Sequence, residues 1–422
     1  MSGEVPMSPL KHSLKDRALN AFERGEEGAA QLLEQALAEG PNDGPLLIAH
    51  AAALFRAGAP EPFARLETML EKAPDWVEGH KALCRLRAEA RAPNPLASIE
   101  AALEKAPKSP RLWMAYLTLL GSAGRHEEAA EHTANLRKTI ADLPELRLVE
   151  ARHRGFAKQF EQAQRLLVDL PAGLPELEFE RARNAMRMGK LDSASAALET
   201  VLKEHPKDIG AWALAELTWR ASDNSRHSWL CPSDALFTQA DLGLSQGELD
   251  TLRDTLRALH VTRSAPLGQS VEGGTQTHGN LRLRHDPAIS HLFEAIDAAI
   301  ADYSSGLPKL PEGHPMAAIQ SRRPQISASW SILLSKGGRH VPHLHDGGLI
   351  SSAAHISIPD DLAKNEGLLE LGRPPEDIPL KVEPISSFAP KPGHLVLFPS
   401  FVYHSTSRFA EGERLTVAFD AV

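Results

Sequence analysis

Residues 343–359 read HLHDGGLISSAAHISIP, and this stretch decides the fold of the second half of the chain. After Gly347-Gly348 the run 349–359 is apolar, small or hydroxylated, and it stops at Pro359, which reads as a strand. Similar short runs surround it: QISASWSILL (325–334), GLLELG (367–372), GHLVLFPSF (393–401) and RLTVAFDAV (414–422), separated by glycine, proline and charged turns. Ahead of them, only 289–303 keeps helical spacing, Leu292, Ile296 and Ile300 recurring every fourth residue. Such a series predicts a β-sandwich or barrel. In an extended strand, residues two apart point to one side, so His343 and His345 face together while His340 and Asp346 do not follow. Two adjacent imidazoles can hold a first-row transition metal. A third ligand must come from elsewhere, and His404 in LFPSFVYHST is the candidate; Arg414 follows ten residues later.

Upstream the grammar is different. LLEQALAEGPND, RLETMLEKAPDW, SIEAALEKAPKS and ALETVLKEHPKD end in the same way, at Pro41, Pro74, Pro107 and Pro206. The first three prolines are 33 residues apart, and the 99 residues to Pro206 leave room for three more units. Ala30/Leu33/Leu37, Phe63/Leu66/Leu70, Leu96/Ile99/Leu103 and Ser195/Leu198/Leu202 mark one helix face in the same register each time. Proline then stops the helix, and Gly58, Gly124 and Gly189 fall near the turn between paired helices. A period near 34 built of helix pairs resembles degenerate tetratricopeptide repeats over residues 13–220. The fold class expected is therefore α+β and multidomain. A helical repeat domain (13–220) and a linker (221–254) precede a β-rich domain (255–422). Stacked helix pairs present a concave surface that suits a protein or peptide partner.

Composition narrows the function classes. With 422 residues, 42% hydrophobic and 24% charged, the chain suits a folded protein of two or three domains. A net charge of −9 argues against a general nucleic-acid binder. Two distant cysteines, Cys84 and Cys231, indicate no disulfide framework. With no signal-like N-terminus and no run of about 20 apolar residues, the expectation is a cytoplasmic protein that does not enter a membrane.

Three segments together, PLGQSVEGGTQTHGNL (266–281), HLHDGGLISSAAHISIP and KPGHLVLFPSFVYHSTSRFAEGERLTVAFD (391–420), resemble a family of iron(II)- and 2-oxoglutarate-dependent oxygenases. The resemblance covers roughly residues 255–422, and members of that family also occur fused to tetratricopeptide repeats. It implies a double-stranded β-helix (jelly-roll) fold and a dioxygenase that hydroxylates its substrate. The cofactors implied are Fe(II), 2-oxoglutarate and O2. Position by position, His343, His345 and His404 match the metal ligands, and Arg414 matches the arginine that grips the distal carboxylate of 2-oxoglutarate. Two departures stand out. The wider superfamily has a carboxylate where His345 stands, so Asp346 competes as second ligand if the strand bulges. The family strand reads Ser-Gly-x-x-Tyr, whereas here Ser351 is followed by Ser352 and the tyrosine place holds His355, which makes Ser351 and His355 candidates for the co-substrate pocket.

Blander readings stand beside these. His340 reads as a solvated loop residue, Trp330 as core, and Arg414 as a possible surface partner of Glu411 or Glu413. Residues 269–279 read as a loop at the mouth of the site, offering Gln269, Gln276 and Thr277 to substrate. Two other functions fit less of the pattern: a cupin-type metal enzyme without 2-oxoglutarate, and a repeat scaffold whose barrel only binds a partner. All candidate catalytic residues follow residue 260 and all clear repeats precede 220. A fragment of residues 230–422 is accordingly expected to bind iron and 2-oxoglutarate, provided the barrel folds alone.

Overall fold

The computed structural model of the protein describes residues 13–174, 176–222, 225–345 and 347–422. In its first half, helices begin at Gly44, Val77, Pro110, Pro144, Leu177 and Ile209, each preceded by a second helix that packs against it. The pairs at Pro144 and Leu177 occupy the stretch where no repeat-ending proline marked them. Their period is kept by the same local devices. Asp43, Ser109 and Asp208 cap the helices that follow them, accepting from the backbone N–H three residues on. Two residues past the end of the helices that begin at Gly44, Val77, Pro110, Pro144 and Leu177, the chain turns through a left-handed residue: Gly58, Arg91, Gly124, Lys158 and Gly189, with φ of +70°, +55°, +73°, +60° and +71°. Only glycine adopts that conformation without a Cβ penalty. Arg91→Gly should therefore raise stability by roughly 0.5–1 kcal/mol. Denaturant unfolding measures this, and a destabilised Arg91→Gly would show that the arginine side chain contributes more than its backbone costs.

The second half holds nine strands among the described residues: β1 (Thr238–Asp241), β2 (Val271–Gln276), β3 (Ile326–His340), β4 (Ile350–Ser357), β5 (Leu369–Leu371), β6 (Ser386–Phe388), β7 (His394–Pro399), β8 (His404–Thr406) and β9 (Arg414–Ala421). They form two antiparallel sheets. The larger runs β1-β7-β4-β9-β3-β2 and the smaller β6-β5-β8, the two-sheet jelly roll of the double-stranded β-helix. Two sequence readings change here. Residues 221–254, expected as a linker, contain the helix Ser225–Leu230, edge strand β1 and most of the helix Gln246–Arg257, whose Leu249, Leu252 and Leu256 are buried. Residues 269–279, expected as a loop, contain β2, interrupted by a bulge at Gly273. Both strands are short edges, where little of the side-chain alternation survives. No described helix is long and apolar enough to cross a membrane.

The core does not divide where the repeats end. One continuous apolar cluster runs from Ala182 and Met186 through Trp212, Leu214, Leu217 and Trp219 into Leu292, Ile350, Phe398 and Phe419. Aromatic rings link the halves in sequence: Trp212 to Trp229 (5.9 Å), Trp229 to His314 (5.4 Å) and His314 to Phe401 (6.2 Å). Arg183 and Arg187 on the helix Leu177–Arg187 both bond Asp377 after β5, at 2.7–3.0 Å. A second contact lies further up the array. Arg263 N–H donates to Glu89 O (3.0 Å), Ser264 Oγ donates to Ala88 O (2.8 Å), and His278 pairs with Glu89.

Candidate metal and co-substrate site

β3 ends at His340, and the chain leaves the sheet before it reaches the His-x-His pair. His343 and His345 therefore sit in irregular chain and not in a strand. What orients them is a backbone exchange across the molecule: His343 N–H donates to His404 O, and His404 N–H donates to His343 O, both at 3.1 Å. This ties the segment to β8 in the smaller sheet. The ring centroids lie 4.1 Å (His343–His404), 4.8 Å (His345–His404) and 5.0 Å (His343–His345) apart. One ligand nitrogen from each ring lies within 4.8 Å of the others. Asp346, the competing ligand, lies outside the described residues.

The outer partners of these rings fix their chemistry. Nδ1 of His343 faces Val341 O (2.9 Å), Nδ1 of His404 faces Val402 O (3.3 Å), and Nδ1 of His345 faces Asp420 Oδ1 (2.7 Å). Carbonyl and carboxylate oxygens only accept, so each Nδ1 carries a proton and Nε2 is the nitrogen left to face a metal. Burial holds the imidazoles of His343 and His404 well below the usual histidine range, so they stay neutral. Three imidazoles, each with Nδ1 against an oxygen and one ligand nitrogen within 4.8 Å of the others, suit a first-row metal.

Arg414 opens β9, whose residues are all buried. Alternation puts Arg414, Thr416, Ala418 and Asp420 on one face of β9, and antiparallel pairing sets His355 opposite Thr416 and Ser351 opposite Asp420. Only 2% of Arg414 is exposed, which removes the reading of a surface pair with Glu411 or Glu413. Its Nη1 donates to Gly367 O (2.7 Å), its Nη2 lies 3.3 Å from His355 Nδ1, and its Nε has no hydrogen-bond partner. Burial lowers its pKa to about 10, still cationic at neutral pH. Among the described residues no carboxylate pairs with it. A buried, unpaired guanidinium is costly, and the deficit is what a ligand carboxylate would fill, so these residues fit 2-oxoglutarate. His355 stands behind Arg414 and does not line the cavity; its Nε2 is also unpartnered.

A small cavity joins the histidines to Arg414, walled by Trp330, Ile332, Leu369, Thr416 and Ala418. Gln269 and Gln276 line it; Thr277 instead turns away and accepts from Ser331 N–H (2.9 Å). Trp330, read as core, lies edge-on to His345 at 5.1 Å and forms part of the wall. His340, read as a solvated loop residue, is the last residue of β3, bonds Ser270 Oγ (2.9 Å), and has its pKa lowered to about 3 by burial. Ser351 does not touch Arg414; its hydroxyl meets Ser400 (2.9 Å) and Asp420 (3.1 Å) beneath His345. Asp420 was missed by sequence reasoning, although Arg414, Thr416 and Asp420, all on one alternating face of RLTVAFDAV, carried a signal.

His343 also borders a second space. It lines a groove of about 1490 Å³ whose other walls include Phe156, Lys158 and Phe179 of the repeats and Pro342, Leu344 and Tyr403 of the β domain.

Residues 328–420 match the family described as "Putative 2OG-Fe(II) oxygenase". No curated protein matches the chain. Among solved structures, a prolyl-4-hydroxylase from Pseudomonas putida is similar at 17% identity, covering 45% of this chain and 96% of its own, with a TM-score of 0.30. A viral collagen prolyl hydroxylase from Paramecium bursaria Chlorella virus-1 is similar at 14% identity, covering 44% and 95%, with a TM-score of 0.29. A tetratricopeptide repeat protein from Parabacteroides merdae is similar at 17% identity, covering 51% and 88%, with a TM-score of 0.36. The family match and the arrangement of side chains together place residues 328–420 with the 2OG-Fe(II) oxygenases, a class that uses Fe(II), 2-oxoglutarate and O2, beside a tetratricopeptide-like helical array.

Proposed function

We propose that the protein is a 2-oxoglutarate-dependent hydroxylase of polypeptide substrates, with His343, His345 and His404 holding Fe(II) and Arg414 holding the co-substrate. The observation that carries this reading is the buried, unpaired guanidinium of Arg414 in one cavity with three converging imidazole lone pairs. When bound, Fe(II) with 2-oxoglutarate supplies the oxidation: O2 is split between succinate, formed with release of carbon dioxide, and a hydroxyl placed on the substrate. The chain's own residues do the rest. Arg414 offers a planar donor group to a carboxylate. Gly367 O and His355 Nδ1 hold that group in place. Trp330, Ile332 and Leu369 exclude water from the cavity.

A polypeptide substrate is favoured by the groove. At about 1490 Å³ it exceeds the volume usual for small-ligand pockets, roughly 300–1000 Å³, and His343 is one of its walls. An extended segment lying against Phe156 and Phe179 would present one residue past His343. The test is Arg414→Lys, which keeps the charge but loses the two-pronged geometry. The KM for 2-oxoglutarate should rise about ten- to a hundredfold while Fe(II) affinity holds. An unchanged KM removes Arg414 from the role.

A further inference from the structure

Three histidines form a neutral ligand set, one negative charge short of the sets that include a carboxylate. The structure has a carboxylate immediately behind that set. Asp420 lies on the site face of β9 and is 7% exposed. Its Oδ1 accepts from His345 Nδ1 at 2.7 Å and from Ser351 Oγ at 3.1 Å. Ser351 in turn meets Ser400 Oγ at 2.9 Å, so the carboxylate is held from below by a short hydroxyl chain. Among the described residues no lysine or arginine pairs with Asp420; His345 is its one charged or chargeable partner. Its one other side-chain hydrogen bond among the described residues comes from the Ser351 hydroxyl, so its charge is directed through the imidazole.

We infer that Asp420 is a positioning and charge-supplying residue for the metal centre: it fixes the tautomer and plane of His345 and delivers through that ring the negative charge that the ligand set lacks. The inference rests on the proposed metal site. In it, Asp420 is not a ligand and touches no substrate. Its charge makes the His345 Nε2 lone pair a stronger donor, and it stabilises a ferric centre more than a ferrous one.

Asp420→Asn separates the two contributions, because the amide oxygen still accepts from His345 Nδ1–H while the charge is gone. Asp420→Ala removes both. With the full-length protein and Fe(II) under anaerobic conditions, Asp420→Asn should weaken binding about 10- to 100-fold, and Asp420→Ala at least as much. The Fe(III)/Fe(II) midpoint potential of Asp420→Asn should rise by about 59 mV for each tenfold by which the ferric form loses more affinity than the ferrous. Ser351→Ala gives an independent readout of opposite sign. It leaves Asp420 charged but removes one hydrogen bond from it, so more of the charge reaches His345 and the potential should fall. A packing role for Asp420 would not produce opposite shifts in the two variants. His345→Ala serves as the control for the site itself. If His345→Ala loses Fe(II) while Asp420→Asn and Asp420→Ala bind as the native protein does, the role of Asp420 is refuted and the ligand set stands. If His345→Ala binds Fe(II) normally, the ligand set is wrong and the inference falls with it. Should Asp420→Asn not fold, an unchanged or raised potential in Ser351→Ala overturns the inference alone.

Discussion

His404→Ala will lower Fe(II) affinity more than about 100-fold, beyond the 10- to 100-fold cost of losing an outer partner of a ligand, and succinate production will be lost with it. The expectation follows from how the site is built. Each ring already has its Nδ1 committed to an oxygen acceptor, so each contributes one lone pair and none can contribute two. No other histidine among the described residues takes the place of His404. His340 is nearest in sequence to the pair, but its Nδ1 meets Ser270 and its ring stacks on His343 at 5.5 Å, outside the three-residue cluster. His343→Ala should behave in the same way. The sharper comparison is His345→Ala against Asp346→Ala. The former should abolish Fe(II) binding and the latter leave it near native. Anaerobic titration decides, and a dead Asp346→Ala beside an active His345→Ala would exchange the second ligand.

Removing the repeats will be as damaging as removing a ligand. A fragment of residues 230–422 should aggregate or remain unfolded, contrary to what the separation of motifs along the sequence suggests. The cut would strip away Trp212, Leu214, Leu217 and Trp219, each at most 7% exposed and part of the same apolar cluster as β4, β7 and β9. At about 1.5–3 kcal/mol for each large apolar side chain, four of them contribute roughly 6–12 kcal/mol. That is comparable with the whole stability of a typical domain, about 5–15 kcal/mol. Asp377 would also lose both of its arginines. Solubility and circular dichroism of the fragment test this. A soluble, cooperatively melting fragment would show that the β domain closes its own core. A cut placed before residue 160, which keeps the last two helix pairs, should be far better tolerated.

The parts legible in the sequence are those set by short-range spacing. Prolines 41, 74 and 107 report a helix end each time, because proline acts on its own turn of backbone. His343, His404 and Arg414 could be picked out because they flank strongly apolar strands whose direction is evident from composition. What stayed hidden depends on pairing between distant segments. Asp420 becomes meaningful only when β9 is laid beside β4 and Ser351 falls opposite it. Trp330 could have faced either way, and only the register of β3 on β9, Trp330 opposite Ala418, turns it to the site. β1 was invisible for the same reason: four residues, Thr238 to Asp241, are a strand because β7 is there to receive them.

The reciprocal backbone pair between His343 and His404 bears on how iron enters and leaves. In a chain that folds around its metal, the ligands are scattered until the ion gathers them, and binding carries the cost of ordering the backbone. Here two proposed ligands 61 residues apart are already joined by two amide hydrogen bonds, so folding alone has met that cost. Metal exchange is thereby uncoupled from unfolding: a chelator would empty the site and leave the jelly roll standing, and the protein could be reloaded without passing through a disordered state.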